Sequence, residues 1–353
     1  MYDLKNNIFF YATKELSQDA FICWLSSYAL DEADNSDKEL VSCARMFICE
    51  LLKKEIKLDI DVERVHLKEV KKQVGNIDIL LTVKYLEKIY KIIIEDKIQS
   101  SEHGNQLERY KKHLENKGFN LICIYYKTGF QSDLSKVYKA GYKLFDRNDV
   151  LGILKKCKSE NAIFKNYREY WENFDEIAKS YKYKTLEEWP DWQTVNGFYD
   201  EMQSNLKDMG IWAGYGHVSN KSGGFWGLWY GINDDIIKIN DKVKVAVYLQ
   251  IETAWNNDKS RYDYRICLKL ENKTGDKSDK NIQNIKNKLT EIQKEYGFEK
   301  PSKHRNGVSM TVGLYDGIDL SFDCEQFKST IIKSIEQYKK LMNHLKKEID
   351  NHE

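Results

Sequence analysis

Proline is almost absent from this chain, with two in 353 residues, and glycine is sparse at 19. That excludes a collagen-like repeat and a Pro-rich linker protein. No run approaches the ~18 consecutive apolar residues of a membrane helix, so no membrane is expected as a partner. The first residues, Met1-Tyr2-Asp3-Leu4-Lys5, lack the basic-then-apolar layout of a signal peptide, and the cytoplasm is the expected location. The seven cysteines are scattered and none forms a C-x-x-C pair, which excludes a zinc ribbon or dithiol redox motif; they read as reduced core residues. The seven histidines show no H-E-x-x-H or other ligand spacing. There is no excess of either charge, 56 Lys+Arg standing against 55 Asp+Glu. A balanced total neither advertises nor excludes nucleic-acid binding, because local patches carry that interaction.

What is present is material for cores: 41% hydrophobic residues, with 23 Tyr and 14 Phe. Length allows two or three domains. In the first part, helical periodicity marks 17–30 and 39–55, where apolar residues recur every three or four positions. Strands follow at 60–65, 75–83 (Ile77, Ile79, Leu81 and Val83 on one face) and 89–97. A helix is predicted over 105–116, then a continuous apolar strand over 120–126, suited to burial on both faces. A short strand at 142–145 and helices at 149–158 and 163–181 complete this part. A hairpin-rich sheet followed by a helical crossover into a buried strand predicts a mixed α/β sheet flanked by helices.

Beyond 182 the pattern resets. A helix over 192–209 precedes strands at 211–218, 225–230, 243–252 and 262–270. A helix over 280–296, a strand over 307–314 and a long helix over 327–347 follow. Residues 183–353 are thus expected to form a C-terminal α+β accessory domain with an antiparallel sheet, and residues 1–182 the first domain. Asn272 to Lys280 reads as an exposed loop.

The chemistry gathers between positions 75 and 110. Alternate side chains of a strand share a face, so Glu95 and Lys97 point one way and Asp96 the other. A tight turn at Leu86-Glu87 sets a register in which Asp78 lies opposite Glu95, with Cβ atoms roughly 4.5–5.5 Å apart. Two carboxylates that close repel unless a cation separates them. Oxygen-only ligation completed by water suits Mg²⁺, with Mn²⁺ as a substitute, and a neighbouring Lys orients water or stabilises phosphate charge. Such a set suits phosphodiester hydrolysis. On spacing alone, the plainer reading of polar strand ends and a cross-strand ion pair is favoured, since Asp-x16-Glu-x-Lys is not rare in a Lys- and Glu-rich chain.

The order of motifs changes that balance. Glu15-Leu16-Ser17-Gln18-Asp19-Ala20-Phe21, Asn76-Ile77-Asp78-Ile79, Ile94-Glu95-Asp96-Lys97-Ile98 and Gln106-Leu107-Glu108-Arg109-Tyr110 fall on helix, hairpin and helix. Together they resemble the PD-(D/E)XK nuclease superfamily, in particular a bacterial branch with an N-terminal E-L-S-Q-x-A-F helix and a Q-x-x-x-Y motif. The similarity spans about Tyr11 to Val150.

The resemblance implies a restriction-endonuclease-like sheet and a metal-dependent nuclease. Asp78, Glu95 and the backbone carbonyl of Asp96 would be metal ligands. Lys97 would position the attacking water, and Glu15 would supply a further carboxylate. Gln106 and Tyr110, four apart on one helical face, would border the active site. The first motif is Ile-Asp here where the family's usual form is Pro-Asp. The expected partner is nucleic acid, DNA favoured over RNA, with a role in bacterial defence against foreign DNA. The alternative reading is a nuclease-fold nucleic-acid- or partner-binding protein with weak or conditional cleavage; the intact Asp78, Glu95 and Lys97 set favours the enzyme. Homodimer formation stays open.

Two further signals lie in the second part. Gly214-Tyr-Gly-His217 and Ser222-Gly-Gly224 lack the context and Lys-Ser/Thr of a P-loop; they read as hairpin turns, and no ATP site is expected in this chain. Trp212, Tyr215, Phe225, Trp226, Trp229, Tyr230 and Trp255, with Lys221, Arg261 and Arg265 nearby, read first as a sheet core around Val243, Val245, Val247, Leu249 and Ile251. The second reading is a surface that stacks bases of single-stranded nucleic acid.

Overall fold

The computed structural model of the chain describes residues 4–32, 37–56, 59–115, 118–220, 223–232, 236–238, 244–256, 260–273, 280–302 and 307–350. Its contacts divide into two compact units, Met1–Glu176 and Ile177–Glu353.

The first unit opens with helices α1 (Ile8–Tyr11), α2 (Glu15–Ser27) and α3 (Lys38–Lys53). Asp37 caps α3 by accepting from the Leu40 N–H at 3.0 Å. Strands β1 (Val65–Val74), β2 (Ile77–Tyr85) and β3 (Lys88–Lys97) form an antiparallel meander. The β1–β2 turn is Gly75-Asn76, both at positive φ (60° and 68°), the conformation of a type I′ hairpin. Helix α4 (Gln106–Leu114) then carries the chain over the sheet to β4 (Asn120–Lys127), parallel to β3. Helix α5 (Ser135–Lys139) leads to the parallel strand β5 (Lys143–Asp146), and α6 (Arg147–Leu154) and α7 (Ala162–Lys179) follow. The sheet order is β1-β2-β3-β4-β5, the mixed α/β architecture expected from the sequence.

The alternation in β2 does what the pattern required: Ile77, Ile79, Leu81 and Val83 are all buried. So are the consecutive residues Ile122 to Tyr126 of β4, which has helices on both sides. One expected strand is absent. Residues 60–64 do not pair; the Asp61 carboxylate accepts from the Glu63 N–H at 3.2 Å and starts a 3-10 turn, so β1 begins only at Val65. A side chain that satisfies its own neighbouring backbone competes with the strand ladder.

In the second unit, helix α8 (Trp192–Asp208) precedes β6 (Trp212–Val218), β7 (Phe225–Gly231), β8 (Ile236–Lys238), β9 (Lys244–Trp255) and β10 (Tyr262–Asn272). Helix α9 (Lys280–Ile292), β11 (Phe298–Glu299), β12 (Ser309–Tyr315) and α10 (Cys324–Asp350) complete it. The strands form an antiparallel sheet ordered β11-β12-β10-β9-β7-β6, with β8 paired to β9. Val245, Val247, Leu249 and Ile251 are buried on one face. Helices cover that face: Tyr199 of α8 meets the Thr253 hydroxyl at 2.6 Å, and Tyr338 of α10 donates to the Val247 carbonyl at 2.5 Å. Val243, Lys221, Ser222 and most of the loop expected over Asn272 to Lys280 lie outside the described residues.

The aromatic cluster divides between the faces. Tyr215 and Tyr230 are buried, Trp226 stacks on Trp192 of α8, and Trp255 is exposed and stacked on Tyr262. Gly214-Tyr-Gly-His217 is not a hairpin turn. It lies within β6, because the two glycines make room on the sheet for the Trp229 ring. Gly223 and Gly224, both at positive φ, do lie in the β6–β7 connection.

Candidate active site

Strand alternation at the end of β3 divides three consecutive charged residues. Glu95 and Lys97 share one side, joined by a 2.6 Å hydrogen bond from Lys97 Nζ to Glu95 Oε1. Lys97 Nζ also donates to the Asp96 carbonyl at 2.9 Å. The β2–β3 ladder pairs Ile79 with Ile94 and Tyr85 with Lys88, the register set by the two-residue turn at Leu86-Glu87. Asp78 therefore reaches the end of β3. Its Oδ2 accepts from the Asp96 N–H at 3.0 Å and lies 3.8 Å from Lys97 Nζ.

Helix α4 docks through Leu107, Tyr110 and Leu114, all buried. That docking places Gln106 at the carboxylate: its Nε2 donates to Glu95 Oε1 at 2.8 Å and to the Tyr110 hydroxyl at 2.9 Å. Asp78, Glu95, Lys97, Gln106 and Tyr110 thus form one polar cluster.

The cluster carries unfavourable charge. Glu95 is fully buried, and its pKa is pushed up to about 7, chiefly by burial and then by the charge of Asp78. Burial also raises Asp78. Burial pulls Lys97 down, but Glu95 and Asp78 outweigh it and hold the ammonium charged. Glu95 Oε2 is buried without a hydrogen-bond partner. Such an atom beside a second carboxylate is what a hard divalent cation would satisfy, and an all-oxygen donor set completed by water is the Mg²⁺ pattern. Among the described residues no group of three or more His, Cys, Asp or Glu side chains is placed to hold a metal, so the side chains offered to a cation here would be Asp78 and Glu95, beside the Asp96 carbonyl and water.

Asp96 points to the other side of the sheet, into contacts supplied by α2. Gln18 Nε2 donates to Asp96 Oδ1 at 2.6 Å, and Gln18 Oε1 accepts from Thr128 Oγ1 at 3.1 Å and Tyr167 at 3.0 Å. Burial raises both Asp96 and its neighbour Asp19, the latter to about 6. Glu15 Oε1 accepts from the Ile98 N–H at 3.1 Å and Ser100 Oγ at 2.6 Å. Lys127, paired with Lys97 across the parallel ladder, donates to the carbonyls of Ile98 (2.9 Å) and Ser100 (2.6 Å). Glu15 and Lys127 therefore grip the chain just after β3 from both polarities of its backbone.

Sequence reasoning named Glu15 as a carboxylate near the metal; the contacts of its Oε1 are with backbone and Ser100. It gave no role to Gln18, Asp19 or Lys127. The available signal was the spacing of Glu15, Gln18 and Asp19, three and four apart on one helical face.

No curated protein and no solved structure matches the chain. The family model of the PD-(D/E)XK nuclease superfamily matches residues 7–188, just over half of the sequence and more than the span of motifs alone. The added N-terminal part includes Asn7, whose side chain donates to the Asn166 carbonyl at 2.7 Å and so ties α1 to α7. Enzymes of this superfamily generally use a divalent metal, usually Mg²⁺. By this match and by the mixed sheet that carries its motifs, the chain belongs to the PD-(D/E)XK nuclease superfamily.

Proposed function

We propose that the protein is a metal-dependent nuclease that hydrolyses phosphodiester bonds, in DNA ahead of RNA. The observation that carries this reading is the partnerless, buried Oε2 of Glu95 beside Asp78, with the Lys97 ammonium fixed against both carboxylates. Asp78 and Glu95 would hold Mg²⁺ or Mn²⁺, with the Asp96 carbonyl close by. When bound, such a cation supplies charge neutralisation at the phosphate and acidifies water.

The chain's own groups do the rest. Lys97 has three protons to donate. Two are committed to Glu95 and the Asp96 carbonyl, leaving one for the attacking water or a phosphate oxygen. Gln106 holds Glu95 Oε1 in place, and Tyr110 in turn orients the Gln106 amide. A role in defence against foreign DNA accords with the family and rests on that likeness alone.

The burial of Glu95 and Lys97 favours a second reading, in which cleavage is weak until nucleic acid or a partner opens the site. Incubating the pure protein with plasmid, linear duplex, single-stranded DNA and RNA, each with Mg²⁺, Mn²⁺ or EDTA, tests both. Cleavage in the metal arms alone supports the nuclease. Binding without cleavage at high protein concentration supports the conditional form. Cleavage in EDTA, or neither binding nor cleavage, removes the proposal.

A further inference from the structure

The face of the C-terminal sheet opposite α8 and α10 carries an unusual combination of residues. In the observed register Gly214 pairs with Trp229 and Trp229 with Gln250, so all three share that face. Gly216 and Gly227 pair with each other one step along the same face. A Cβ on Gly214 would stand 2.4 Å from Trp229 Nε1, and Cβ atoms on Gly216 and Gly227 would each touch the far end of the indole at 3.5 Å. The ring therefore lies along the sheet, seated on three glycines. Among the described residues no other ring stacks on it.

Trp229 lines an open groove of ≈ 900 Å³, a size that suits a small planar ligand. Trp212 and Tyr248, with ring centres 6.0 Å apart, form one wall, and Trp212 is anchored by its Nε1–H to the Ile232 carbonyl at 3.2 Å.

The cations named on this face are each held by a carboxylate, three cations sharing two carboxylates. Glu252 takes Lys269 at 3.3 Å and Arg265 at 2.8 Å, and Glu271 takes Lys273 at 2.8 Å. Cations already held by carboxylates are less available to a phosphate than free ones, and the indole between them suits a neutral ring. Gln250, buried beside Trp229, donates one Nε2 proton to Glu252 Oε1 at 3.4 Å, which orients an amide whose second N–H and carbonyl oxygen form the pattern that reads a base edge. Stacking on an indole is tolerant of base identity, whereas the amide is selective.

We propose that this groove is a nucleobase site, in which one unstacked base of a nucleic-acid strand lies on the Trp229 indole with its polar edge toward Gln250. The inference deepens the nuclease reading and rests on it for the class of partner. It makes the second unit the part that senses bases, while the phosphodiester chemistry stays with Asp78, Glu95 and Lys97.

The test is fluorescence anisotropy with the full chain in EDTA, where metal-dependent cleavage is silent. The probes are a labelled single-stranded oligonucleotide, the same backbone made abasic, and mononucleotides as competitors. The expected result is a loss of affinity of about 10-fold or more for the abasic strand. Trp229→Ala should erase the difference between the two strands, and Trp229→Phe should keep most of it. The comparison of intact and abasic strands uses wild-type protein and holds even if Trp229→Ala fails to fold. Equal affinity for both strands overturns the site. A mononucleotide that binds as tightly as the strand overturns nucleic acid as the ligand's source. Cleavage in Mg²⁺, measured separately, keeps the two proposals apart: a protein that cuts but does not distinguish the abasic strand loses only this inference.

Discussion

Gln18 of the first long helix donates a 2.6 Å hydrogen bond to the side chain of Asp96, the central residue of the Glu-Asp-Lys strand. The same amide accepts from Thr128 and Tyr167. One side chain thus ties α2, β3, β4 and α7 together directly behind the polar cluster, and it fixes which way Asp96 faces.

Replacing Gln18 by Ala strands Asp96 Oδ1 and the Thr128 hydroxyl in the interior and leaves the Tyr167 hydroxyl only its 3.4 Å contact with Tyr126. Each unsatisfied buried group costs about 1–3 kcal/mol, and Gln18→Ala should lower the unfolding free energy by about 3 kcal/mol in a urea titration. A change below about 0.5 kcal/mol, the ordinary range for surface substitutions, would show that this network does not hold the strand.

The second unit should carry a pH-dependent contribution from Glu201. Burial alone raises that carboxyl, but hydrogen bonds from Lys328 (2.6 Å), Tyr181 and Lys182 outweigh it and bring the pKa down to about 2 from 4.5. A depressed acid stabilises the folded state above its unfolded pKa, and the contribution fades as pH falls from 4.5 toward 2. Discounted for partial exposure, Glu201→Gln should cost about 1–2 kcal/mol at pH 7 and almost nothing near pH 2. Melting curves of both proteins across that range check the sign. A cost that grows as the pH falls would contradict it.

The two units are proposed to fold separately, and the cut between them matters. Tyr181 packs against Trp189 and Phe198, with ring centres at 6.3 and 5.7 Å, and donates to Glu201. A fragment beginning at 177 keeps that ring, whereas one beginning at 183 loses it. Removing a buried aromatic costs about 3–5 kcal/mol, so the shorter fragment should melt on the order of 10 °C lower. Equal melting temperatures would place Tyr181 outside the C-terminal core.

How far the sequence could be read follows from the range of each interaction. The register that brings Asp78 to Glu95 was legible because it needs only period-two alternation and a two-residue turn. Gln106 and Tyr110 were legible as one helical face. The contacts of Gln18 and Glu15 were not, because their partners lie about 80 residues away and α2 alone does not say which strand it crosses. The strand assigned to 60–65 failed on a local cap at Asp61, a bond that hydropathy patterns do not register. Gly214 and Gly216 looked like turn residues because glycine usually marks turns; here they mark the seat of a ring on the neighbouring strand. The match to the family over 7–188 extends beyond the motifs because helices without motif residues complete the fold.

Cleavage by three proteins measured side by side tests the metal site most directly: wild type, Glu95→Gln and Asp96→Asn, each with plasmid DNA in Mg²⁺ and in EDTA. Glu95 would be a metal ligand. Asp96 is buried on the opposite side, where burial raises its pKa and its side chain hydrogen-bonds with Asp19, so that Asn keeps the shape and can donate to Asp19. Wild type should cut only with metal. Glu95→Gln should lose more than about 100-fold, beyond what groups that merely support ligands contribute, and Asp96→Asn should stay within about tenfold of wild type. Comparable losses in both variants, or wild-type cleavage by Glu95→Gln, would contradict the assignment of Glu95 and Asp78 to the metal.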